Sequence, residues 1–256
     1  MIIIVSPSKT QTFTNRQPAD VRQPELIDRA EQLIAILKSF SPEDLATLMK
    51  TSERLTAQTI DSITGFQTPH TTDNSSAALT VFQGAAYTAV DTDSYNKNDY
   101  LFADRHVRIL SGLYGILRPT DLIQPYRLEM GTRLETDRGA SLYDFWGETI
   151  TDILNRELEQ SKERFLVNCA SKEYANVIRP KKIAADLITV SFKQRKNDRL
   201  KTIAVHAKRA RGRFVDYVIR NRLTNMKKLQ SFNEDGYCFS TALSSDTELV
   251  FQKSLD

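Results

Sequence analysis

Three short polar runs stand directly after apolar stretches, where side chains can meet a ligand. Ser6, Ser8 and Lys9 follow Ile2–Val5, and Asn168, Ser171, Glu173 and Tyr174 follow Phe165–Val167. In an extended backbone Arg127 and Glu129 share one face, and Tyr126, Leu128 and Met130 the other. Ligands of open α/β sheets sit outside the strands' carboxyl ends, and a helix starting there offers free N–H groups to an anion. A carboxylate beside an arginine serves as a base or as a structural ion pair. Lys9 and Lys208 suit anion anchors, or nucleophiles if desolvated. One expectation is therefore an enzyme acting on a small phosphorylated or nucleotide-like molecule. Its catalytic candidates are Lys9, Arg127, Glu129, Glu173 and Lys208. Ser6, Ser8, Tyr87, Tyr126, Asn168, Ser171 and Tyr174 would line its pocket. The plainer reading of Ser6–Lys9 is a capped turn with a lysine in solvent.

A second constellation points to DNA. Between Lys193 and Lys228 stand thirteen Lys or Arg against two Asp or Glu, a local charge of +11 that leaves −8 on the rest. Clustered cations on an acidic body fit a polyanionic partner, or else a solvated basic face. On a helical wheel Arg209, Arg213 and Arg220 fall within about 40° of one another. With Lys208 and Arg211 they would form a phosphate grip. Gly112 and Gly115, with Arg118 nearby, would bring backbone N–H groups close to phosphate. This is the leading expectation, with the enzyme as its alternative: duplex or branched DNA bound without sequence preference, weakening steeply with salt.

No metal or cofactor is expected. The three histidines (His70, His106, His206) have no metal-ligand spacing, and no Glu-x-x-His pair is present. No glycine-rich loop precedes Lys9, so it is not a Walker lysine. Cys169 and Cys238 lack C-x-x-C spacing, and neither a signal peptide nor a membrane span is visible. A cytoplasmic protein with free thiols is the expectation.

The elements that must position these residues read as one mixed α/β domain over 1–256, a mixed sheet flanked by helices. Strands are predicted at Ile2–Val5, His106–Ser111, Tyr126–Met130, Phe165–Cys169, Asp186–Arg195 and Leu200–His206. The turn Lys196-Asn197-Asp198-Arg199 joins the last two, and Gly236–Phe239 with Glu248–Lys253 forms a closing hairpin. Helices are predicted after Pro24, after Ser41-Pro42, over Ser52–Ile63, Ala77–Val90, Tyr95–Ala103, Ser141–Leu158 and Ala207–Leu223. Trp146, the only tryptophan, reads first as a core anchor and second as a ligand-stacking ring.

Several motifs carry a family resemblance: SPSKT (6–10), Phe82/Gly84/Tyr87, LSGLYGILRPTDLIQPYRLEMG (110–131), LYDFWG (142–147), VNCASKEY (167–174), KRARG (208–212) and GYCF (236–239). In order and spacing the chain resembles the bacterial YaaA family of peroxide-stress proteins nearly end to end. The resemblance implies protection during hydrogen peroxide stress by limiting free intracellular iron and oxidative damage to DNA and protein. It further implies a mixed α/β fold with a helix-hairpin-helix-like element and affinity for duplex or branched DNA.

Overall fold

The computed structural model describes residues 1–14, 17–196 and 199–254. Its centre is the β-branched run Ile2–Val5 (β1), buried between two parallel neighbours, Val107–Ser111 (β3) and Phe165–Asn168 (β6). Such runs need cover on both faces, which explains their continuous apolar character.

Between β1 and β3 come Ile27–Leu37 (α1), Pro42–Met49 (α2), Glu53–Gly65 (α3), the short strand Ser76–Ala77 (β2), Ala78–Val81 (α4) and Lys97–His106 (α5). Ser41 caps α2 by accepting from the Asp44 N–H, with Pro42 at the first helical position. Between β3 and β6 lie Gly115–Leu117 (β4), Leu122–Ile123 (β5, paired with β2), Leu142–Trp146 (α6) and Thr149–Glu159 (α7). The chain continues through Lys172–Ala175 (α8), Asp186–Lys196 (β7), Arg199–Lys201 (β8), Ala204–Arg220 (α9) and Met226–Leu229 (α10), and ends in Cys238–Phe239 (β9) and Glu248–Ser254 (β10).

Among the described residues one eight-stranded sheet runs in the order β4-β3-β1-β6-β7-β10-β9, with β8 beside β7. The five central strands are parallel, while β4, β8 and β9 are antiparallel edges. The chain leaves β1 for β3 on one side and then crosses to β6 on the other. That reversal makes the exits of β1 and β6 a topological switch point, the place where doubly wound sheets bind ligands. An aromatic cluster of Phe192, Phe214, Phe232 and Phe251 fixes α9 against β7 and β10.

Several expectations are corrected. Ala77–Val90 is not one helix: α4 stops at Val81, and Gly84 at φ +95° turns the chain before a single 3-10 turn at Tyr87–Ala89. Ser141–Leu158 is broken at Gly147, whose φ of +51° ends α6 before α7 begins. Leu200–His206 is strand only to Lys201, because α9 starts at Ala204. Tyr126–Met130 joins no ladder and ends in a turn at Met130; the Gln11 side chain serves the Tyr126 backbone on both sides. Residues 197 and 198 of the predicted turn lie outside the described residues.

Candidate functional site at the exits of β1 and β6

Pro7 stops the β1 ladder, and the chain leaves the sheet through Ser6. The Ser6 Oγ accepts from the Ser171 N–H at 2.8 Å and lies 3.2 Å from the Ser171 hydroxyl. Tyr87 Oη donates to the Ser6 carbonyl at 2.8 Å. Asn168 Oδ1 accepts from the Ala170 N–H, which shapes the turn between β6 and α8. Ser8 backs onto Gly84: a Cβ at Gly84 would stand 3.2 Å from the Ser8 Oγ. Residues 165 positions apart thus meet where the topology predicts a ligand.

The second part of the site hangs from the loop after β1. Lys9 Nζ pairs with Glu129 Oε2 at 2.5 Å, and Arg127 Nη2 stands 4.0 Å from the other Glu129 oxygen. Glu173 Oε1 accepts from the Gly131 N–H at 3.1 Å, and Tyr143 Oη donates to the Glu173 carbonyl. Arg127, Glu129 and Glu173 border one cleft of about 580 Å³. The end of α2 (Thr47, Leu48 and Met49) with its C-cap Lys50, and Arg133, line the same cleft.

Burial raises the hydroxyl pKa of Tyr87, Tyr126 and Tyr174; the proximity of the other two adds to the Tyr87 shift. These phenols are therefore proton donors at neutral pH, not bases. Cys169 is buried and its thiol is pushed up to about 12, although the Arg211 charge beside it acts the other way. That removes thiolate chemistry from this exit.

Sequence alone assigns Arg211 to a DNA-binding face, yet α9 brings it next to Cys169. Its Nε is buried without a hydrogen-bond partner, as is Arg127 Nε. A buried N–H donor left unpaired is costly, so these two guanidinium groups are poised for an acceptor. Lys208 stays exposed one turn earlier on α9, and no contact joins it to Lys9 or Glu129. The wall residues Lys50 and Arg133 are absent from the expected set, as is Gln11. A lone lysine after a helix and a glutamine in a polar loop carry no signal in sequence.

The DNA constellation is rearranged. Gly112 is buried in the turn joining β3 to β4 and Gly115 is the buried first residue of β4, so two strands and not two helices flank the turn. A Cβ on Gly112 would meet the Leu128 carbonyl at 2.2 Å, and one on Gly115 the Trp146 ring at 2.7 Å. Close packing claims both glycines, and their backbone is closed to a phosphate. Trp146 is a core anchor, donating to the Gly112 carbonyl. Arg118 shares Glu157 with buried Arg108. Arg209 pairs with Asp235, and Arg213 lies 3.5 Å from Glu234. Arg220 is clasped by Asp216, Asp91 and the Tyr95 ring. All three arginines that share a wheel face have a carboxylate within ion-pair distance, although the buried Arg213 Nε makes no hydrogen bond.

Against known proteins, the family described as peroxide stress protein YaaA matches residues 1–243. The chain belongs to this family. A UPF0246 protein of Acaryochloris marina is 47% identical over 251 residues, covering 98% of this chain and 99% of the relative. UPF0246 proteins from two Aliivibrio fischeri strains are 42% identical over 254 residues, covering 99% of this chain and 98% of each relative. The YaaA family match spans β1, the central motif, β6 and α9, so every residue of the cleft falls within it. Among the described residues no three His, Cys, Asp or Glu side chains cluster as a metal site requires, and no helix is long and apolar enough to cross a membrane.

Proposed function

We propose that this peroxide stress family member acts as an enzyme on a small phosphorylated or nucleotide-like molecule at the switch point. The carrying observation is the meeting of Ser6 with Ser171 after β1 and β6, with an unpartnered Arg127 Nε in the Lys9–Glu129–Arg127 group and an unpartnered Arg211 Nε near Cys169. In this reading Arg127 and Arg211 hold anionic groups. Glu129, positioned by Lys9, takes a proton from a ligand hydroxyl or from water. An effect on free iron lies downstream of that ligand. Isothermal titration with AMP, ADP and pyrophosphate tests the reading, with chromatography of the nucleotides after incubation. Saturable binding is expected, lost in Arg127→Ala, with any turnover lost in Glu129→Gln while binding persists. No binding by any of the three at millimolar concentration would refute it.

A second reading, a DNA-binding surface, is favoured by Arg199, Lys201, Lys208, Lys227 and Lys228. All five are exposed and make no ion pair among the described residues. Salt-titrated binding to duplex and junction DNA tests it. Reversing the charge of the four lysines should reduce the salt slope by about 1 for each phosphate no longer neutralised. An unchanged slope would dismiss this surface.

A further inference from the structure

The lining of the cleft assigns a position to the ligand's charge. Lys50 ends α2 at φ +52°, a left-handed conformation uncommon for lysine and frequent at functional sites. It lines the cleft together with Glu129 and Arg133. Neither cation has an ion-pair partner among the described residues. Two acids also line the cleft: Glu129 is paired with Lys9 and Arg127, and Glu173 accepts from the Gly131 N–H. Three cations, Lys50, Arg127 and Arg133, line the same volume, and Lys50, Arg133 and the Arg127 Nε have no partner among the described residues.

Resting on the reading above, we propose that Lys50, Arg127 and Arg133 form a subsite for a terminal phosphate, so that the ligand is a phosphomonoester or diphosphate rather than a phosphodiester. Three cations around one volume reward a dianion over a monoanion, and the guanidinium forks match the oxygens of a terminal phosphate. Leu48 and Met49 on the same wall give the uncharged part of the ligand an apolar surface.

Titration calorimetry on the full chain at about 0.1 M salt, where surface charges are already screened beyond about 10 Å, compares AMP, cyclic AMP and adenosine. The variants are Lys50→Asn, Arg133→Gln and a distant control, Lys162→Gln. Asparagine tolerates the left-handed backbone, so Lys50→Asn removes the charge without adding strain. AMP is expected to bind at least about tenfold more tightly than cyclic AMP. Lys50→Asn and Arg133→Gln should each weaken AMP by about tenfold, with the control unchanged. If AMP binds and needs Arg127 but ignores Lys50 and Arg133, the subsite is overturned and the enzyme reading stands. Equal affinity for AMP and cyclic AMP also overturns it. If none of the probes, nor pyrophosphate, binds, both readings fail.

Discussion

Replacing Gly112 with alanine separates two accounts of the central motif. Its φ lies outside the left-handed region, so alanine suffers no backbone strain there. With free space around it, the change would stabilise the fold by about 0.4–1 kcal/mol through the unfolded chain. The space is taken, because the added Cβ would stand 2.2 Å from the Leu128 carbonyl oxygen and 2.9 Å from its carbon. Both neighbours are backbone atoms, so relief requires the 127–129 segment to retreat by about 1 Å, an overpacking cost of about 1–3 kcal/mol. The net expectation is a loss of about 1–2 kcal/mol, on the order of 5 °C in Tm for a chain of this size. Because Arg127 and Glu129 flank Leu128, AMP affinity should fall by about tenfold or more. Calorimetric unfolding and titration of Gly112→Ala measure both effects. A raised or unchanged Tm with intact AMP binding would refute the packing argument. Weakened DNA affinity at unchanged Tm would return the glycine to a phosphate-binding role.

Further predictions concern groups outside the cleft. Burial raises the Asp121 carboxyl from 3.8 to about 7, with Asp104 adding to the shift and the Arg118 N–H opposing it. The folded state therefore holds this proton more tightly than the unfolded chain, and stability falls as pH rises from about 4 to about 7, by at most a few kcal/mol. Urea unfolding from about pH 5 to about pH 8 should show a flatter profile for Asp121→Asn, and equal slopes would refute the assignment. Arg220→Ala strips buried Asp216 of its cation and should cost about 2–3 kcal/mol in the same assay, because Tyr95 Oη and the Asp91 N–H remain as donors. A loss below about 0.5 kcal/mol would show the clasp to be incidental. One thiol, Cys238, should react with Ellman's reagent at about pH 8 in the native protein and two after denaturation, since Cys169 is buried with its pKa pushed up to about 12. Equal rates for both thiols in the native protein would refute this.

The strand exits are readable because their signal is local. A β-branched run closed by proline, and a second apolar run closed by Asn-Cys-Ala-Ser, each declare a buried strand and its end. The alternation at Tyr126–Met130 anticipates buried Leu128 and Met130 and the pairing of Arg127 with Glu129, although the segment is not a strand. The helix expected across Ala77–Val90 fails because a single glycine inside a periodic run has two outcomes, a tolerated helical glycine or a turn. The close approach of the Gly84 backbone to Ser8, not local propensity, decides for the turn.

What the sequence determined by itself were the buried strands of a mixed sheet, their exits, the chemistry of the residues standing there and, through its motifs, the family. What only the tertiary structure decided was which side chains remain free. The charge count of Lys193–Lys228 cannot show that Arg209, Arg213 and Arg220 already have carboxylates, because those partners come from Asp91, Asp216 and the Glu234-Asp235 turn. Nor can the sequence show that Gly112 lies against the Leu128 carbonyl, or that Lys50 and Glu129 line one cleft. Charge and turn chemistry are properties of residues, whereas an unpartnered cation is a property of everything packed around it.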